Sequence, residues 1–202
     1  MSQSRRAAVL VVDDEPDVAD TYARQLRDRF AVETAYSGEE ALERLDPSVD
    51  VVLLDRRMPD RTGDEVLSAI RDDRYDARVA MVTAVEPDFD IIEMPFDDYV
   101  VKPVTEEDLV ETVERLTRYA DYEERLRECY SLTAKYAALQ SSKPDAALEE
   151  SEEFAELETE LTAVRTELDE ISASFDATDF EALFREFDTS DARDDGATDH
   201  TT

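Results

Sequence analysis

Asp13 and Asp14 follow the apolar run AVLVV, Asp55 follows VVLL, Thr83 ends RVAMVT, and Lys102 follows DYVV. These are carboxylates, a hydroxyl and an ammonium, each standing where a buried run gives out. In an open parallel sheet, ligands bind beyond the carboxyl ends of the strands, so these side chains would reach one edge. Carboxylates crowded there repel by an amount on the order of kcal/mol, even at an effective dielectric of about 20. They stay ionised together only with a cation among them. Oxygen-only ligands with open positions suit Mg²⁺, which keeps waters and shares a phosphate oxygen. An ionised Asp55 on that metal is equipped to accept a phosphoryl group. The metal and Lys102 would offset the charge that develops, and Thr83 would donate a hydrogen bond to it.

Taken singly, each residue has a plainer use. Asp13 and Asp14 precede a helix and serve as N-caps, Asp55 caps a loop, and Thr83 and Tyr99 pack. Lys102 resists that treatment, because the chain otherwise prefers Arg, with 19 Arg and 3 Lys among its 22 basic residues. A compact ammonium where a guanidinium is the default points to selection for size or point charge. It is the joint arrival of these groups at one edge that argues for chemistry.

The elements that must position them alternate. Strands are expected at 8–12, 30–35, 49–54 and 78–83, with a short fifth within 98–103. Helices are expected at 16–30, with Pro16 in the first turn, and at 37–45, 63–71 and from 105 onward, where Thr105 and Asp108 cap the start. Alternating βα units with strands apolar on both faces imply an α/β fold with a five-stranded, parallel, doubly wound sheet.

A second texture begins near residue 118. Tyr119, Tyr122, Leu126, Cys129, Thr133 and Tyr136 recur at spacings of three and four. Beyond SSKPD, the residues Phe154, Leu157, Leu161, Val164, Leu168, Ile171 and Phe175 continue the pattern. This is a coiled-coil seam, and the break at Lys143-Pro144 favours an all-α antiparallel hairpin over 119–187. The seam either holds the hairpin together or mediates dimerisation or partner docking; both can hold. Cys129 on the seam is read as a small core residue. Phe180, Leu183, Phe184 and Phe187 share one helical face, which caps the hairpin or docks a partner. Residues 188–202 lack large apolar side chains and read as a disordered acidic tail.

Composition narrows the function further. The 202 residues carry a net charge of −32, which repels nucleic-acid phosphates and anionic membranes in dilute salt. Scarce Lys and abundant carboxylate suggest adaptation to high salt, where screening relieves self-repulsion. Residues 1–118 hold 15 basic and 30 acidic residues, and residues 119–202 hold 7 and 24, so neither half hides a basic face. A single Cys and a single His, His200 in the polar tail, exclude an internal disulfide and a His-based triad or metal site. The apolar stretch AAVLVV is too short for a signal or membrane segment, so a cytoplasmic protein with no membrane partner is expected.

With VVDDEPD, LLDRRMPDRTG, MVTA and DDYVVKP in this order and spacing, residues 7–118 resemble the receiver domain of two-component response regulators. The resemblance implies a CheY-like (flavodoxin-like) fold and phosphorylation of Asp55 by a sensor histidine kinase. It implies that Asp14 binds Mg²⁺ directly with Asp55, that Asp13 acts mainly through water, and that the backbone carbonyl of Arg57 completes the protein ligands. Thr83, with Ala84 beside it, and Lys102 would contact the phosphoryl oxygens, and Tyr99 would swing inward on activation. Met58-Pro59 and Gly63 would shape the loop after the acceptor. YEERLRECYSLTAKYAAL, EFAELETELTAV and IIEMPFDDYVVKPV resemble regulators carrying a HalX domain, found after receivers in halophilic archaea.

The resemblance has two departures. The stretch from Thr83 to Lys102 is a few residues shorter than usual and holds Pro87 and Pro95, so the fourth helix should be stunted or irregular. Arg57 is bulky and charged, either shielding the phosphoryl group from water or guiding its donor. The expected function is a phosphorylation-controlled switch acting through the helical half on an unknown downstream protein or a second copy. No Pro or Gly interrupts 105–140, so one helix could act as a lever between the halves. The alternative is a transcription regulator whose acidic hairpin binds DNA at molar salt. No helix presents a basic cluster, so DNA is not the expected partner. An enzyme passing through an aspartyl phosphate would need a second carboxylate as general acid, and Arg57 holds the nearest place for one. No turnover beyond slow self-dephosphorylation is expected.

Overall fold

The computed structural model describes residues 5–73 and 75–175. The chain forms two compact units that divide between Thr117 and Arg118. Phe180, Leu183, Phe184, Phe187, the 188–202 tail and His200 lie outside the described residues.

In the first unit, five strands form one parallel sheet in the order β2-β1-β3-β4-β5. They are β1 (Ala8–Val12), β2 (Ala31–Ala35), β3 (Val51–Leu54), β4 (Arg78–Thr83) and β5 (Asp98–Val101). The three inner strands are apolar and buried almost throughout, whereas edge strand β2 alternates exposed and half-buried residues. Helices covering both faces of a parallel sheet impose that pattern, and each fully buried Val or Leu contributes about 1.5–3 kcal/mol.

Helix α1 (Pro16–Leu26) opens on a proline in its first turn and buries Ala19, Ala23 and Leu26 at helical spacing. It ends four residues before the expected limit. The N–H groups of Arg29 and Phe30 both turn back to the Leu26 carbonyl, delivering Phe30 into the core. Helix α2 (Gly38–Arg44) is capped by the Ser37 hydroxyl. Helix α3 (Gly63–Asp72) starts with a reciprocal capping box between Thr62 and Glu65 and buries Val66, Leu67 and Ile70.

Between β4 and β5 the expected irregularity is present. A five-residue 3-10 turn, Phe89–Glu93, stands in place of a fourth helix. Pro87 and Pro95 bracket it, and each lacks the N–H that a longer helix would use. The segment that follows is pinned by arginines. Arg71 donates to the carbonyls of Pro95 and Ala77, and Arg71 and Arg78 both bond the Asp97 carboxylate.

Helix α4 runs from Glu106 to Ser142, its 37 residues contributing the start to the first unit and the remainder to the second. Thr105 and Asp108 exchange hydrogen bonds at its first turn, as expected. In the second unit, the break holds a short α5 (Asp145–Glu149), which the sequence pattern did not indicate, before α6 (Glu152–Ser172).

Leu132, Leu161 and Val164 form the core of the second unit, with Cys129, Tyr136, Leu157 and Leu168 packed against them. Tyr119 and Tyr122 meet Phe175, while Tyr136 stacks on Phe154 at 5.2 Å. Early residues therefore meet late ones, which makes the hairpin antiparallel. Leu132, not the expected Thr133, is the buried seam residue. Both positions fit a three-four alternation, and the larger apolar side chain takes the core place. Among the described residues no helix is long and apolar enough to cross a membrane.

Candidate functional site

Strand register brings the chemistry together. Val12 pairs with Leu54, Leu54 with Met81, and Thr83 with Val101. The next residues, Asp13, Asp55 and Lys102, therefore leave the sheet at one edge. Backbone bonds extend the ladder there: Asp55 N–H donates to the Val12 carbonyl at 2.9 Å and Lys102 N–H to the Thr83 carbonyl at 2.8 Å.

Lys102 Nζ donates to Asp13 Oδ2 at 2.6 Å and to Asp55 Oδ1 at 2.9 Å. All three side chains are largely enclosed, at 17%, 4% and 8% exposure respectively. Burial works against the lysine's charge, but its hydrogen bonds to Asp13 and Asp55, together with their negative charge, outweigh it and hold the ammonium above its usual range. Two carboxylates facing one ammonium leave one negative charge in excess. At an effective dielectric of 20, like charges about 4 Å apart repel by about 4 kcal/mol, so the pair is short of a further cation.

Each carboxylate is also aimed by the backbone. Asp13 Oδ1 accepts from the Glu15 N–H at 3.0 Å, and Asp55 Oδ2 accepts from the Arg57 N–H at 2.8 Å. Asp14, the next residue after Asp13, is half-buried and takes no part in the lysine bridge. The Arg57 side chain is exposed and Ala84 is exposed. Thr83 is buried, and its Oγ1 accepts from the Val85 N–H at 3.3 Å. Tyr99, half-buried and packed on Phe96, donates its hydroxyl to the Val85 carbonyl at 2.9 Å. Thr83 and Tyr99 thus meet at one residue, Val85.

Among the described residues no group of three or more His, Cys, Asp or Glu side chains is placed to hold a metal. Two buried carboxylates are nevertheless a fitting donor set for a hard cation such as Mg²⁺, which takes one or two carboxylates and retains waters. The oxygen-only character of the edge, and its uncompensated negative charge, meet that requirement.

Sequence reasoning missed two residues here. Tyr22, on α1, lies in the field of the site. Burial raises its phenol above the usual range, Lys102 opposes this, and Asp13, Asp55 and Glu15 add to it. No spacing or motif marked it. Arg56 is the second, a largely buried guanidinium directly after Asp55. The doubled arginine of DRRMP was the available signal.

The loop after the acceptor is tight. Asp60 adopts φ 65, a left-handed conformation that aspartate tolerates. A Cβ on Gly63 would sit 2.2 Å from the Asp55 carbonyl oxygen and 2.8 Å from the Arg56 Cα. Backbone atoms at that distance have nowhere to go, so only glycine lets α3 start against the acceptor. Gly63→Ala is expected to cost about 1–3 kcal/mol, read as a lower denaturant midpoint. A midpoint equal to the parent's would show that the loop yields freely.

Comparisons with known proteins agree with this geometry. The model of the response regulator receiver domain matches residues 9–114, and that of the HalX domain matches residues 118–184. A Haloferax volcanii protein carrying a transcriptional-regulator description is 56% identical over 170 residues, covering 82% of this chain and 29% of that protein. The transcriptional regulatory protein CpxR of Escherichia coli K12 is 33% identical over 121 residues, covering 58% of this chain and 52% of that one. The chain thus spans less than a third of the first relative and about half of the second. The BeF3-activated receiver domain of DrrB, a Thermotoga maritima response regulator, superposes with a TM-score of 0.51 at 30% identity. That superposition covers 55% of this chain and 97% of the DrrB domain. With the five-stranded parallel sheet in place and both models matched in succession, the chain belongs to the response regulators, as a receiver domain followed by a HalX domain.

Proposed function

We propose that this chain is a phosphorylation-controlled switch in which Asp55 accepts a phosphoryl group from a sensor histidine kinase. The observation that carries this reading is the Lys102 bridge between two enclosed carboxylates at the strand edge. In the transfer, an Asp55 carboxylate oxygen forms a bond to phosphorus as the phosphorus–nitrogen bond to the donor imidazole breaks. The electron pair leaves with the imidazole, which takes up a proton. Lys102, already bonded to Asp55, follows the negative charge onto the phosphoryl oxygens. The Thr83 hydroxyl has its proton available to donate to the same group, because its oxygen is the acceptor from Val85.

Asp13, Asp14, Asp55 and the Arg57 carbonyl would hold Mg²⁺, which when bound supplies positive charge beside the phosphoryl oxygens. The BeF3-activated state of the DrrB domain supports the same chemistry for this edge. The site receives a group without turning over a substrate, slow self-dephosphorylation apart.

Val85 supports a route outward. A pull on Thr83 toward a phosphoryl oxygen acts on the Val85 N–H, and the Val85 carbonyl holds the Tyr99 hydroxyl. Signalling then passes to the HalX domain, by dimerisation or by docking of a downstream protein, with a coupling of about 1–3 kcal/mol. The relatives' description as transcriptional regulators favours a second reading, in which the helical domain contacts DNA in molar salt. The net charge of −32 opposes it. Gel shifts over a salt series, with and without beryllofluoride, separate the two readings.

The direct test is incubation with acetyl phosphate and Mg²⁺ in molar KCl, followed by intact-mass and peptide mapping. The expected result is one phosphoryl adduct, on the peptide containing Asp55 and dependent on Mg²⁺. An adduct mapped elsewhere, or none, defeats the proposal. Light scattering with and without beryllofluoride then reports whether the switch changes the oligomeric state.

A further inference from the structure

The turn that replaces the fourth helix exposes two large apolar side chains, Phe89 at 85% and Ile92 at 75%. Its hydrogen bonds are mostly local: Asp88 accepts from Phe89 and Ile91, and Ile91 accepts from Met94. A longer-range polar tie runs to the acceptor loop. Arg56 Nη2 donates to Asp90 Oδ2 at 2.5 Å, across 34 residues of sequence. The same guanidinium bonds Asp64, in the first turn of α3, through Nε at 3.1 Å and Nη2 at 3.2 Å. The Arg56 side chain is only 11% exposed, whereas Asp64 and Asp90 are 43% and 55% exposed.

Hydrogen bonds to Asp64 first, and then to Asp90, hold the guanidinium firmly in its charged form against the opposing effect of burial. The backbone of Arg56 is equally constrained. Its carbonyl accepts from the Gly63 N–H at 2.9 Å, beside the close approach of Gly63 to Asp55. Arg56 is therefore fixed at both ends, covalently next to the acceptor and by ion pairs to α3 and the turn. A largely buried guanidinium is costly to leave without its partners, so the turn tends to follow where the arginine goes.

We propose that Arg56 is a positioning residue that couples the acceptor to the Phe89–Glu93 turn. Displacement of the 55–57 backbone on phosphorylation is carried by its guanidinium to Asp90, and this moves the exposed pair Phe89 and Ile92. The coupling rests on the reading of Asp55 as acceptor. It runs beside the contact of Thr83 and Tyr99 at Val85 and uses a different residue.

Hydrogen–deuterium exchange on the full chain tests it, in molar KCl with Mg²⁺, with and without beryllofluoride. In the parent protein, beryllofluoride should change exchange both in a peptide over 55–63 and in one over 86–94. In Asp90→Asn the change over 55–63 should persist, while the change over 86–94 falls several-fold. Asp90→Glu, which keeps the carboxylate, should restore it. Because the readout is the difference made by beryllofluoride, a turn merely loosened by the substitution does not imitate the result. The proposal is overturned if Asp90→Asn keeps the full response over 86–94, or if the parent responds only over 55–63. No response in either parent peptide would overturn the acceptor reading, and this coupling with it.

Discussion

Asp55→Asn is expected to reduce phosphoryl uptake from acetyl phosphate by more than about 10³-fold, the scale on which losing a nucleophile acts. The amide matches the carboxylate in shape but lacks the anionic oxygen that forms the bond to phosphorus. Folding should survive. Asp55 shares the Lys102 ammonium with Asp13, so a neutral side chain at 55 relieves repulsion between two enclosed carboxylates. The denaturant midpoint should therefore hold or rise, most visibly at low salt, where screening is weakest. Loss of uptake with an unchanged or higher midpoint assigns the defect to chemistry. If Asp55→Asn were labelled at the parental rate, the acceptor would have to be sought elsewhere.

Asp97→Ala is expected to lower stability by about 3–5 kcal/mol, the usual cost of removing one partner from a buried ion pair. Asp97 has only 7% of its side chain exposed. Its Oδ2 accepts from Arg71 Nη2 at 2.7 Å and from the Val79 N–H at 2.6 Å, and its Oδ1 accepts from Arg78 Nη1 at 2.8 Å. One carboxylate thereby joins α3, β4 and the segment leading into β5. Arg71 keeps its bonds to the carbonyls of Pro95 and Ala77. The loss falls on the Val79 N–H inside the sheet, and Arg78, 9% exposed, gives up its bond to the carboxylate. Guanidinium denaturation in molar KCl measures it. A loss below about 1 kcal/mol, the level of an exposed pair, would mean that this cluster does not anchor the segment.

The irregular fourth helix shows how far local sequence reaches. Two prolines and a short spacing were enough to anticipate that a full helix would not form, because a missing N–H is a local property. What holds the replacement turn was not readable. Arg56 meets Asp90 across 34 residues, and no spacing rule links an arginine after one strand to an aspartate after the next. Tyr22 was not legible for the same reason, since its position in the field of Lys102 depends on how α1 lies over the strand ends.

The hairpin makes a similar distinction. Alternation at three and four located the seam, but Leu132 and Thr133 both satisfy it, and only packing against Leu161 and Val164 chose Leu132. At the site, residue order alone established which chemical groups stand at the strand ends and that one of them is a rare lysine. That Asp13, and not its neighbour Asp14, shares that lysine with Asp55 was decided by the tertiary structure. Successive side chains leaving a strand point to opposite sides, so the choice follows from strand register and from the path of β5, which sequence separation, differing by one residue between the two aspartates, does not distinguish.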